Sequence, residues 1–184
     1  MKTKILTSFV LVALPALADI FVQPPSTTVS LGSPLVLDIN VSGITDLYAF
    51  QFDIGFNPAM LAAVSVTEGS LFSSVGVFFS PGVIDNVGGS IVFIADSLSG
   101  PGPGISTDGT LAQIQFSSLS LGSSSVDLSN VLLLDSNLAG VSATVSGATA
   151  NVVPEPGFWP IVAVLALGFG MRRLGTRGAQ RPER

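Results

Sequence analysis

The sequence predicts an all-β domain, a sandwich or barrel of about nine short strands, set between two apolar termini. Alternation is the first observation behind this. Leu35, Leu37, Ile39 and Val41 share one face of an extended segment, while Asp38, Asn40 and Ser42 share the other. The next segment repeats the pattern with aromatics: Tyr48, Phe50, Phe52, Ile54 and Phe56 on one side, Ala49, Gln51, Asp53 and Gly55 on the other. A strand with that aromatic load on one face suits the core of two stacked sheets. Punctuation is the second observation. Asn57-Pro58, Gly69, Pro81-Gly82, Gly88-Gly89, Gly100–Gly104 and Gly140 break the chain at short intervals, and no long helical pattern lies between them.

In chain order, the further strands expected are Ile20–Val22, Ala62–Val66, Val75–Phe79, Ser90–Ala95, Thr110–Ser117, Ser125–Leu133 and Val141–Val152. The tract from Ser97 to Gly109 reads as a loop, with Pro101, Pro103 and four glycines.

The ends of the chain carry sorting information. Lys2 and Lys4 precede an apolar run from Ile5 to Leu14, and Ala16-Leu17-Ala18 supplies the small residues of a cleavage site. That run is too short to cross about 30 Å of hydrocarbon at about 1.5 Å per residue, so residues 1–18 read as a secretory signal peptide. Cleavage after Ala18 leaves Asp19 as the mature N-terminus. At the other end, Phe158 to Met171 is free of charge and is followed by Arg172, Arg173, Arg177, Arg181 and Arg184. A short membrane helix over about 158–174 is expected, with Arg172 and Arg173 snorkelling and the basic end cytoplasmic. Val153-Pro154-Glu155-Pro156 just before it is a stiff, extended joint, because two prolines block both helix and ladder pairing. The ordered set of Pro-Glu-Pro, apolar helix and arginine cluster over residues 153–184 resembles the PEP-CTERM sorting signal. That resemblance implies processing by an exosortase at the inner membrane, and transfer to the cell surface or extracellular matrix of a Gram-negative bacterium.

Charge separates these ends from the middle. All seven basic residues lie within the first four positions or after Met171, and between Asp19 and Val153 there are ten acidic residues and no Lys or Arg. The mature domain therefore carries about ten negative charges, against −5 for the whole chain. Nucleic acid is excluded as a partner, since nothing neutralises phosphate. Side-chain ion pairs inside the domain are excluded too, so stability rests on apolar burial and hydrogen bonds. There is no Cys, and about 135 residues are enough to fold without disulfides. There is no His, which removes the usual general base and zinc ligand, and no Lys remains to activate a serine. The Asp residues are expected in turns or on outward strand positions, where solvation explains them, so no enzyme is expected. No cofactor is expected either. Calcium is the one ion the composition admits, with Asp85-Asn86, Asp96 and Asp108 as hard oxygens at a spacing that fits no dedicated loop.

A second resemblance spans most of residues 19–152. Leu47-Tyr48-Ala49-Phe50-Gln51-Phe52-Asp53-Ile54-Gly55-Phe56-Asn57-Pro58, then Leu61, Val64-Ser65-Val66 and Glu68-Gly69-Ser70, is similar to the cohesin domain. So is Gly109-Thr110-Leu111-Ala112-Gln113-Ile114-Gln115-Phe116 with Val126–Asp135. The resemblance implies a nine-stranded jelly-roll sandwich, shared with carbohydrate-binding modules, and a dockerin-like protein partner. It also implies that Ala49, Gln51 and Asp53 face that partner. The expected function is a noncatalytic surface or matrix protein mediating protein–protein interaction or adhesion. The alternative is a carbohydrate-binding module for a neutral polysaccharide. Sugar platforms need exposed aromatics, and with Tyr48 of core parity only Phe72, Phe78 and Phe79 could serve.

Overall fold

Two β-sheets lie face to face in the computed structural model, which describes residues 17–73, 75 and 78–155. The expected signal peptide up to Ala16, the expected membrane helix, Pro156, Arg172 and Arg173 lie outside the described residues. The first half of the chain forms β1 (Ala18–Gln23), β2 (Ser26–Ser30), β3 (Pro34–Ser42), β4 (Leu47–Phe56) and β5 (Leu61–Glu68). The second half forms β6 (Phe78–Asp85), β7 (Ser90–Ser97), β8 (Gly109–Ser118), β9 (Gly122–Asp135), β10 (Ala143–Ser146) and β11 (Ala148–Val153). One sheet has the order β10-β1-β3-β8-β5 and the other β2-β11-β9-β4-β7-β6. Among the described residues, only the β1–β10 and β2–β11 pairs are parallel.

Alternation explains the core. Leu35, Leu37, Ile39 and Val41 from β3 meet Phe50, Phe52, Ile54 and Phe56 from β4, all buried. Phe56 and Phe116 touch edge to face between the sheets, with ring centroids 5.2 Å apart. Phe52 stacks on Phe50 at 5.6 Å, and Phe72 closes the end of this row against Phe50 at 5.2 Å.

The all-β sandwich is as expected; several elements are not. β2 has a single apolar residue in Ser-Thr-Thr-Val-Ser and lies half-exposed at a sheet edge, so it shows no periodicity. Pro24-Pro25 offers no N–H to either ladder, and there the chain passes from one sheet to the other. The single strand expected over Val141–Val152 is two, one in each sheet, divided at Gly147. A Cβ at Gly147 would lie 2.6 Å from the Val126 carbonyl oxygen, so only glycine fits there. The strand expected at Val75–Phe79 starts at Phe78 and runs on through Pro81-Gly82, which had read as a turn. β6 is an edge strand, and a proline there loses nothing if its missing N–H faces solvent.

Tyr48 is the other correction. The β4–β9 ladder shifts register between Leu47 and Ala49, so the extra residue moves Leu47 into the core and Tyr48 out of it. Tyr48 is half-buried, and its hydroxyl donates to the Gly100 carbonyl at 2.5 Å.

Candidate docking face

The outer face of the six-stranded sheet is unusually apolar where β9, β4, β7 and β6 run side by side. Ala49 and Gln51 on β4 stand next to Ala95 and Ser97 on β7, and next to Leu132 and Leu134 on β9. With Phe78 and Phe93 they line a shallow groove of about 240 Å³. Phe78 is 67% exposed and Phe93 53% exposed, and Val83, Val92 and Leu132 are exposed as well. Contiguous apolar exposure of this kind marks contact surfaces more often than chance exposure does.

Of the residues expected to face a partner, Ala49 and Gln51 are half-buried and line the groove, while Asp53 is placed beyond its end. Asp53 is also not free. Its Oδ1 accepts the Phe93 N–H at 2.7 Å and its Oδ2 accepts the Asn130 side-chain N–H at 2.6 Å. Of the candidate aromatics, Phe72 is in the core, Phe79 is partly buried against it, and Phe78 is on the groove. Phe93 was not foreseen. Regular alternation over Ser90–Ala95 would put it inside with Ile91, but a register shift turns it outward. The readable signal was the unbroken apolar run Ile91-Val92-Phe93-Ile94-Ala95, which no half-buried strand can place on one face.

The oxygen donors considered for calcium are not brought together. Asp85 accepts the Val87 and Gly88 N–H groups in the β6–β7 turn, and those bonds, Gly88 foremost, hold its pKa below the usual value. Asn86 bonds both the N–H and the carbonyl of Ala63, and Asp108 accepts the Gly43 N–H at 2.8 Å. Among the described residues no group of three or more acidic side chains gathers as a metal site. Asp46 is likewise committed: the Ser136 hydroxyl and the Gly104 N–H lower its pKa.

Asp96 differs from all of these. It faces inward on β7, 3% exposed, with Oδ1 accepting the Ser97 N–H and Oδ2 buried without a donor. Desolvation, with the Glu68 carboxylate adding repulsion, pushes its pKa up to about 6.

The expected sorting residues within the described part are separated from this face. Ala18 is buried at the start of β1, Asp19 accepts the Thr144 hydroxyl, and Val153 ends β11, with Pro154 and Glu155 exposed beyond it.

Known proteins place the architecture. A non-cellulosomal cohesin from Archaeoglobus fulgidus superposes with a TM-score of 0.61 at 18% identity, covering 77% of this chain and 94% of that one. The sixth cohesin of Acetivibrio cellulolyticus scaffoldin B, solved in complex with a Cel5 dockerin, gives 0.62 at 20%, covering 75% and 100%. A type II cohesin of the same organism gives 0.60 at 20%, covering 74% and 96%. No curated protein matches the chain. The cohesin-domain family model matches residues 20–152, which is most of the chain, and this protein belongs to the cohesin domain family.

Proposed function

We propose that this is a noncatalytic docking module whose β9-β4-β7-β6 face binds a dockerin-like protein. The apolar groove beside Ala49 and Gln51 carries the reading, in a domain whose structural neighbours include cohesins solved with dockerins. Charge selects the kind of partner. Ten carboxylates without one Lys or Arg between Asp19 and Val153 repel anionic surfaces, so the partner presents an aliphatic side chain to the groove and Lys or Arg around it. Calorimetric titration of the full-length chain against a dockerin panel and a neutral polysaccharide, each at two salt concentrations, tests this. Dockerin binding that weakens as salt rises, and weakens again in Gln51→Arg, supports the reading. Salt-insensitive polysaccharide binding with no dockerin response overturns it in favour of a carbohydrate-binding module, for which Phe78 and Phe93 on the groove are the available rings.

The same reading includes export. The lysine-flanked apolar start, cleavage after Ala18, and Val153-Pro154-Glu155-Pro156 ahead of the apolar, arginine-ended tail support signal peptidase and then exosortase processing. The product is a surface or matrix protein. Intact-mass measurement on protein recovered from its host tests this; a surface chain still ending at Arg184 rules it out.

A further inference from the structure

Besides the shift at Tyr48, the six-stranded sheet contains two backbone irregularities on either side of Asp53, and that one carboxylate touches both. In the β4–β7 ladder Phe52 pairs with Ile94 and Ile54 with Ile91, so Val92 and Phe93 together oppose Asp53 alone. In the β4–β9 ladder Gln51 pairs with Leu132 and Asp53 with Ser129, so Asn130 and Val131 together oppose Phe52. Each bulge contains a non-glycine residue at positive φ: Phe93 at 63° and Asn130 at 50°. Asp53 accepts the backbone N–H of the first and the side-chain N–H of the second. The irregularity reaches β6, where Gly82, at φ 76°, lies opposite Phe93, and the Ser80 hydroxyl donates to the Phe93 carbonyl at 3.2 Å.

Asparagine adopts this backbone region with little strain; a phenylalanine does not. Burial does not compensate the strain at Phe93, because just over half of the residue is exposed. A glycine or asparagine would hold the same bulge more comfortably. The ring is therefore placed for something outside the domain, consistent with strained residues clustering at ligand clamps.

We infer that Phe93 is the anchor of the docking face and that Asp53 is its positioning residue, tying the β7 and β9 bulges to β4 so that the ring stands on the groove. This rests on the docking reading above. It also changes the role first expected of Asp53, from direct contact to support. The partner is the one argued there: a basic-rimmed protein surface whose aliphatic side chain sits beside Phe93, opposite a domain with no positive charge of its own.

The test uses the full-length chain with Asp53→Ala, Asp53→Asn and Phe93→Gly, read by hydrogen exchange, by melting temperature and by titration with the tightest dockerin of the panel. Asp53→Ala speeds exchange over residues 91–95 and 128–132 by about ten-fold or more and leaves 35–41 unchanged, since only the bulges lose their tie. Asp53→Asn, which keeps an acceptor for one of the two donors, falls between it and the wild type. Phe93→Gly melts within about 3 °C of the wild type, because relief of strain offsets the freer unfolded chain, yet binds about ten-fold or more weakly. Unchanged exchange in Asp53→Ala overturns the inference whatever binds. Undiminished affinity in Phe93→Gly, or in a folded Asp53→Ala with loosened bulges, overturns it too. A wild type that binds no dockerin removes the docking reading instead, and the exchange data still decide the clamp.

Discussion

Asp96→Asn should stabilise the domain at neutral pH and leave it almost unchanged near pH 4. Asp96 is buried on the inner side of β7 with an undonated Oδ2, and its pKa rises from 3.8 to about 6. For a carboxyl raised in the folded state the sign is definite. Below about pH 3.8 the group is protonated in both states and adds no penalty; as pH climbs through about 6 the folded state must ionise it. Two pKa units correspond to about 3 kcal/mol of folding free energy lost across that window. Glu68 is only half-buried and admits solvent to the pair, so we take about half, roughly 1.5 kcal/mol, or about 5 °C in Tm for a domain of this size. Asparagine keeps an acceptor for the Ser97 N–H and offers Glu68 a donor, without a charge to desolvate. Melting both proteins by circular dichroism from pH 4 to pH 8 gives the answer. A difference that stays constant with pH, or that favours the wild type above pH 6, refutes the assignment of Asp96 as the raised group.

Phe52→Ala removes a ring that is fully buried and stacked on Phe50, and should cost about 3–5 kcal/mol in urea unfolding. A loss below about 1 kcal/mol would mean the inner face of β4 is misassigned. Gly89→Ala should cost at least about 2 kcal/mol, because its φ is 72° and a Cβ would lie 2.3 Å from the Phe56 carbonyl oxygen; a neutral result would show that the β6–β7 turn relaxes freely. Asp46→Asn should lower Tm at pH 7 more than at pH 3, since the Ser136 and Gly104 donors favour the ionised form; an equal loss at both pH values contradicts that.

How much of this was readable from the chain depended on whether side-chain parity survived. Where it did, as over Leu35–Val41 and Phe50–Phe56, alternation alone identified the two inner faces. Where a bulge inserted a residue, parity reversed: Tyr48, expected in the core, left it, and Phe93 faces outward where regular alternation would turn it inward. A bulge is stabilised by contacts far away in sequence, here by Asp53 across forty residues to Phe93, so the local apolar run signals a break in alternation without showing where it falls. β2 escaped for a different reason: an edge strand with both faces half-wet has no pattern to show. The candidate docking face was legible in part, because Ala49 and Gln51 sit on a regular stretch of β4, while the aromatics that dominate it lie on irregular or edge strands.

The acidic residues were read as solvated, and that reading misses what a domain without cations does with carboxylates. Asp46, Asp53, Asp85, Asp96, Asp108 and Asp135 each accept at least one backbone N–H, closing turns or bulges that no Lys or Arg is present to bridge. Such acceptors are strongest when ionised. The lowered pKa values of Asp46 and Asp85 therefore give stability that is present above about pH 3.8 and lost as pH falls through their folded values. Asp96 acts in the opposite direction, losing stability as pH climbs from about 3.8 through about 6, so stability should peak near pH 4 and decline toward pH 6, below the neutral range usual for proteins. The two demands differ in origin. The turn-closing carboxylates hold the loops and the bulged sheet, and together they give the domain its uncompensated negative charge, the charge on which the proposed basic partner depends. Asp96 lies at the floor of the groove, buried and facing inward, and its neutralisation by a proton removes the cost of burying a charge there and tightens the sandwich.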